Sequence, residues 1–200
     1  GQFFQGTNLW SQPKPLQLPR PPIMNAGSSS AGQDFSVRHA DMNFVMLRQQ
    51  DDESDAAQIG QLKTLAADRG RSSQCWIHVY VVCRDTEEEA HDYLNHYVME
   101  KGDDVAVANM LEIFGLQSET LTPDVIEAFK FHFKAGHGGY PLVGTPEQIV
   151  EGIEHLSSLA VDGMLISWVD YLGECQQWID DVLPLMEQAG LRKSFKAPSP

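Results

Sequence analysis

Cysteine is scarce in this 200-residue sequence, and the three present, Cys75, Cys83 and Cys175, show no CxxC spacing. An odd, unpatterned set excludes a disulfide framework and leaves a reducing cytoplasm as the expected compartment. Positive charge is also scarce: 14 Lys and Arg stand against 28 Asp and Glu, a formal net charge of −14. Gripping a phosphate backbone needs clustered Lys and Arg. No basic stripe occurs, so nucleic acid is not an expected partner. No apolar run approaches the roughly 18 residues of a membrane span, and no membrane partner is expected. The opening Gly1-Gln2-Phe3-Phe4 lacks the pattern of a signal peptide. With no initiator Met, the chain is expected to begin inside a longer protein. A metal site is not expected either. His91 and His96 do not share an i, i+4 face, and His132 and His137 have no carboxylate at useful spacing. No GxGxxG, Walker or GxSxG motif is present.

What is present is enough apolar content, 42%, for a packed core. Residues 1–22 are irregular, since Pro13, Pro15, Pro19, Pro21 and Pro22 forbid a helix, and Gly1–Trp10 suits a short hairpin or lid. Pro22–Gly27 reads as a strand entering a small-residue turn, with Ser28-Ser29-Ser30 capping a helix over roughly 30–40. Met42–Leu47 is a second strand. A helix opened by Asp51–Asp55 follows, with Ile59, Leu62, Leu65 and Ala66 on one face and Gly70 at its C′ position. Trp76–Cys83 is the strongest strand, and Thr86-Glu87-Glu88-Glu89 is a capping box. Residues 102–135 interrupt the rhythm with two helices, the second starting at Thr122-Pro123. Thr145-Pro146-Glu147-Gln148 opens another helix, Met164–Val169 is a strand, and Leu172–Met186 a final helix that Pro184 should kink or end. The basic tail 191–200 is expected to be flexible. Four strands alternating with helices imply an α/β parallel sheet. The pattern fits half of an eight-stranded barrel or a small doubly wound sheet.

Four segments carry candidate chemistry. Asn25–Gly32 joins a strand to a helix with small side chains, so its amides, its hydroxyls and the helix N-terminus suit an anion such as phosphate; a plain βα turn is the alternative. Alternation places Trp76, His78 and Tyr80 on one strand face and Cys75, Ile77 and Val79 on the other. His78 is a candidate for proton transfer or for holding a ligand oxygen, against a satisfied core histidine. In Lys134–Pro141 the glycines mark a mobile or tightly turned loop, from which Lys134, His137 and Tyr140 reach a polar substrate unless the loop is a mere connector. Ser167–Tyr171 lies at a strand's C-terminal end, where parallel α/β proteins place their sites. There Trp168 and Tyr171 wall a pocket or pack the core.

Several runs together resemble the bacterial-luciferase-like flavin monooxygenases. They are Gly1-Gln2-Phe3-Phe4, Pro19–Gly32, Cys83-Arg84-Asp85-Thr86, Leu142–Gln148, Leu165–Tyr171 and Leu183-Pro184-Leu185-Met186, spanning most of residues 1–190 in the family's order. The dimethyl-sulfone branch is the most similar, with alkanesulfonate and pyrimidine monooxygenases as relatives. The resemblance implies a (β/α)8 TIM barrel of which residues 1–190 form the C-terminal half, about the last four βα units, with 102–135 as a helical insertion. It implies reduced FMN as cofactor, O2 as co-substrate, and a separate NAD(P)H-dependent flavin reductase as partner.

By the same resemblance, Gly27, Ser28 and Ser29 hold the FMN phosphate and His78 is catalytic. Trp76, His137, Tyr140, Trp168 and Tyr171 line the pocket of a small-molecule substrate. The alkanesulfonate branch carries an arginine where this chain has Trp76, and a loop arginine where only Lys134 and His137 lie nearby. Loss of fixed cations favours a neutral organosulfur substrate over a sulfonate, because a desolvated anion needs a paired charge. A half barrel leaves two sheet edges and one face open. The chain is therefore expected to be a fragment, a truncated product or part of a longer protein, and to be homo-oligomeric. The alternatives are an inactive half barrel, a flavin-binding dimer, and an unrelated α/β phosphate-binding module.

Overall fold

A computed structural model describes residues 2–47, 51–115 and 122–196. Gly1 of the opening run and residues 197–200 of the tail lie outside the described residues. The elements run in the order β1 (Met24–Asn25), α1 (Ser30–His39), β2 (Met42–Val45), α2 (Asp52–Ala67), β3 (Gln74–Cys83), α3 (Glu87–Asn95), α4 (Asp104–Ile113), α5 (Pro123–Gly136), β4 (Tyr140–Gly144), α6 (Pro146–Ser158), β5 (Gly163–Ser167), α7 (Tyr171–Gln177) and α8 (Leu183–Gln188). Every strand pairing is parallel.

The helix starts follow from local chemistry. Gly32 N–H donates to Ser29 Oγ at 3.1 Å, so Ser29 is the N-cap of α1. Asp51 and Thr86 cap α2 and α3, and Thr86 forms the reciprocal capping box with Glu89. Gly144 has φ +149°, and a Cβ there would stand 2.4 Å from Gln148 Oε1. Only glycine leaves room for Gln148 to fold back and accept from Thr145 N–H at 2.9 Å, while Pro146 sets the first turn.

The sheet departs from the sequence reading in one respect: among the described residues it has five strands, not four. Tyr140–Gly144 is a strand, not the continuation of a loop. Residues 76 and 77 of β3 pair with both β2 and β5, and residues 79 and 80 pair with both β4 and β5. Hence β2 and β4 share one side of β3, end to end, and β5 takes the other. Pro141 is tolerated because, among the described residues, β4 pairs with β3 alone.

Two further expectations are corrected. Pro184 does not end the last helix. A π-helical turn, Trp178–Val182, precedes it, the proline stands in the first turn of α8 where no intrahelical N–H is needed, and the chain continues helically to Gln188. Residues 2–10 form neither hairpin nor regular lid; Phe3, Phe4, Leu9 and Trp10 stand exposed. At the other terminus Leu191 packs against the core and its N–H donates to Met186 O at 2.9 Å.

The two faces of β3 meet different partners. Cys75, Ile77, Val79, Val81 and Cys83 face a core built with Ile59 and Leu62 of α2, Ile149, Ile153 and Leu156 of α6, and Trp178, Val182 and Met186. On the other face Tyr80 and Val82 are covered by Ala90 and Leu94 of α3, Val98 and Ala135. Trp76 and His78, nearer the start of the strand, are only half-buried, and Leu165 beside His78 is 43% exposed. This second face is closed at its C-terminal end by the helices of residues 87–136 and open below them.

Candidate functional site

With all strands parallel, the segments after β1, β2, β3 and β5 emerge at one end of the sheet. That rim collects most of the sequence-selected residues. The turn after β1 comes first. Asn25 Oδ1 accepts from Gly27 N–H at 2.8 Å, closing an Asx turn. A Cβ on Gly27 would stand 2.8 Å from the Gly32 backbone, so the turn folds against the first turn of α1 only because both residues are glycine. Ser28, Ser29 and Ser30 remain exposed at the N-terminus of this ten-residue helix. The first amides of a helix have no intrahelical acceptor and carry its positive dipole end. Ser29 Oγ is occupied as an acceptor, yet its hydroxyl proton is still available to donate. The cradle fits an anionic phosphate of the FMN type: it is small, exposed and rich in donors.

The second group surrounds His78. A pocket of about 140 Å³ is lined by Phe44, Met46, Leu47, Ile77, His78, His137, Gly138 and Tyr140. It joins three sequence-selected residues, His78, His137 and Tyr140, in a mostly apolar slot. The loop Gly136–Gly139 is tightly turned. His137 has φ +53° and Gly138 φ +74°, and Cβ atoms on Gly136 and Gly139 would stand 2.3 Å from Tyr80 Cβ and 2.9 Å from His78 Nδ1. His78 Nε2 lies 2.9 Å from Ser167 Oγ. Burial, and then the neighbouring His137, push the His78 pKa below its usual value, so the ring favours the neutral form. Burial raises the Tyr140 hydroxyl, with Asp52 and Asp55 adding to the effect. Lys134 does not enter the pocket; its Nζ bonds Asp104 at 2.8 Å.

The third group is the segment after β5. Trp168 packs edge-on against Tyr171 at 5.5 Å and against buried Trp178 at 5.8 Å, so it packs on the core, whereas Tyr171 is exposed. Buried Glu174 holds this segment: Oε2 accepts from Val169 N–H at 3.0 Å and Asp170 N–H at 2.8 Å. Its Oε1 accepts from Arg84 at 2.9 Å, and the Arg84 guanidinium stacks 3.8 Å over the Tyr93 ring.

Trp76 lies lower, across Gly163, with Nε1 donating to Gln74 at 3.0 Å. Neither Trp76, Trp168, Tyr171 nor the serine turn lines the His78 pocket. Sequence reasoning assigned no role to Ser167, Glu174, Gly136 or Gly139. Glycine density was the one available signal for the last two; the others depend on strand register and loop closure.

Residues 1–163 match the family model described as luciferase-like monooxygenase. FMNH2-dependent dimethylsulfone monooxygenases of Pseudomonas putida and of Pseudomonas fluorescens (strain Pf0-1) are each 30% identical, over 199 and 200 residues; each match covers 94% of this chain and 52% of the relative. The chain thus spans about half the length of the curated relatives it matches. Among solved structures, riboflavin lyase with modified FMN and riboflavin superposes with TM-score 0.72 at 25% identity, covering 90% of this chain and 46% of that one. DmoA from Hyphomicrobium sulfonivorans gives TM-score 0.72 at 19% identity, covering 88% and 44%, which speaks to the fold alone.

Proposed function

The chain belongs to the luciferase-like monooxygenase family, and from that premise we propose that it supplies the C-terminal half barrel of an FMNH2-dependent monooxygenase acting on a small neutral organosulfur compound such as dimethyl sulfone. The observation that carries this reading is that the chain holds both an anion-suited serine turn after β1 and an apolar, histidine-bearing pocket beyond the end of β2. Reduced FMN, when bound, would supply the electrons that activate O2, delivered from a separate flavin reductase.

The residues of this chain do the rest. Gly27 lets the turn close, and Ser28, Ser29 and the first amides of α1 hold the phosphate. Phe44, Met46 and Tyr140 exclude water around the reacting centre. His78 exchanges a proton or a hydrogen bond with the bound molecule, and His137 closes the slot. With Lys134 engaged by Asp104, no lysine or arginine lines the pocket among the described residues. Trp168 and Tyr171 form an outer wall at the same rim.

The test is turnover with reduced FMN and O2, comparing dimethyl sulfone, methanesulfonate and uracil. Consumption of dimethyl sulfone in preference to the other two supports the reading; preference for methanesulfonate or uracil overturns the substrate class. A second reading, a half barrel that closes on a second copy and binds flavin without turnover, draws on the open face around Trp76, His78 and Leu165. A dimer that binds FMN and oxidises none of the three compounds favours it.

A further inference from the structure

Ser167 makes two contacts with one hydroxyl proton. Its Oγ lies 2.9 Å from His78 Nε2 and 3.4 Å from the Val79 carbonyl oxygen. A carbonyl can only accept, so the contact to Val79 uses the hydroxyl proton. Both contacts coexist only when Oγ accepts from an Nε2–H. The register places this arrangement: His78 pairs with Leu165 and Tyr80 with Ser167, so Ser167 sits on the His78 face one step towards the rim. On the far side the Nδ1–Cε1 edge of the ring lies against Gly139, where a Cβ would stand 2.9 Å from Nδ1 and 3.2 Å from Cε1. The imidazole is thus clamped between a hydroxyl and a glycine backbone at the pocket wall.

We propose that Ser167 is a positioning residue that holds His78 as its Nε2–H tautomer, so that Nδ1 carries the lone pair. The proposal extends the functional reading above, and rests on it for its catalytic consequence. In that tautomer the neutral ring accepts a hydrogen bond or a proton at Nδ1 and cannot donate from that atom. A proton taken at Nδ1 gives an imidazolium whose Nε2–H remains bonded to Ser167. The acceptor atom of His78 is then Nδ1, on the ring edge that Gly139 flanks.

The test reads the tautomer directly and needs neither flavin nor turnover. Long-range proton–nitrogen correlation spectra of the 15N-labelled chain at pH 7.5 report both ring nitrogens, with His78→Gln assigning the signal. The expected result is a protonated Nε2 and a bare Nδ1, preserved in Ser167→Thr and averaged between tautomers in Ser167→Ala. Should Ser167→Ala fail to give a folded amide spectrum, Ser167→Cys takes its place, since a thiol is a weak acceptor and should relax the preference equally. A bare Nε2 in the parent chain overturns the proposal, as does an unchanged tautomer in the folded Ala or Cys variant. If turnover is present, Ser167→Ala lowers kcat by at least about tenfold with KM little changed, part of the 10²–10⁴ that a positioned acid–base group supplies. Ser167→Thr restores it. Absence of turnover removes the functional reading and leaves the tautomer result standing.

Discussion

Gly139 lies directly over His78: a methyl group on its α-carbon would stand 2.9 Å from the imidazole Nδ1. Its neighbour Gly136 is tighter still, since the added atom would come within 2.3 Å of Tyr80 Cβ. That contact is close to the backbone of a central strand and has little room to yield. Gly136→Ala is therefore expected to destabilise the chain by about 1–3 kcal/mol, the usual cost of overpacking. Gly60, exposed in α2 with open space where a methyl group would stand, should instead gain roughly 0.5–1 kcal/mol as Ala. Urea unfolding of the two variants, read against the parent, checks the opposite signs.

Glu174 should behave as a clamp on the Trp168–Tyr171 segment. A glutamine there keeps one acceptor oxygen but turns an amide towards either the Val169 and Asp170 N–H groups or Arg84. Loss of charge-assisted bonds of this kind costs about 2 kcal/mol. Glu174→Gln is expected to lower stability by that order and to open the segment after β5 to proteolysis. Limited digestion with mass mapping of the first cut is the measurement.

Acid should destabilise the fold through its half-buried histidines. Burial depresses the pKa of both His78 and His132, with His137 adding to the effect at His78. The unfolded chain protonates near 6.5, so it binds more protons than the folded chain below that pH. Their contribution is complete above about 6.5 and is lost as pH falls through the depressed folded values. Among the described residues, His137 and Tyr140 are the titratable side chains that share the pocket with His78. The urea midpoint should fall between pH 7.5 and pH 5, and His78→Gln and His132→Gln should each flatten that fall. An acid limb of turnover, where turnover is measured, should lie below 6.5 for the same reason.

Much of the architecture was legible because local signals agreed. The β3 alternation, the Thr86 and Thr145 capping motifs and the proline at the start of α5 each specify one structure. β4 was not legible, because Tyr140–Gly144 is short, carries Pro141 and directly follows a glycine cluster that reads as loop. The partner of His78 was not legible for a different reason. It is set by the register between β3 and β5, strands separated by some eighty residues, and a shift of one residue would turn Ser167 to the other face. The hold of Glu174 on the loop is likewise a closure that no local pattern announces. In the serine turn the glycine spacing was legible as close packing: Gly27 and Gly32 touch, and Ser28, Ser29 and Ser30 are exposed.

The central claim is that this turn grips the phosphate of a flavin. The most direct measurement is equilibrium binding of FMN against riboflavin, which differ in that phosphate, to the parent chain and to the Ser28→Ala/Ser29→Ala double variant. The account predicts FMN at least about tenfold tighter, the worth of one charge-assisted hydrogen bond, with the preference lost in the variant while riboflavin affinity is unchanged. Equal affinity of the parent for the two flavins, or a preference for FMN that survives the double substitution, would contradict it.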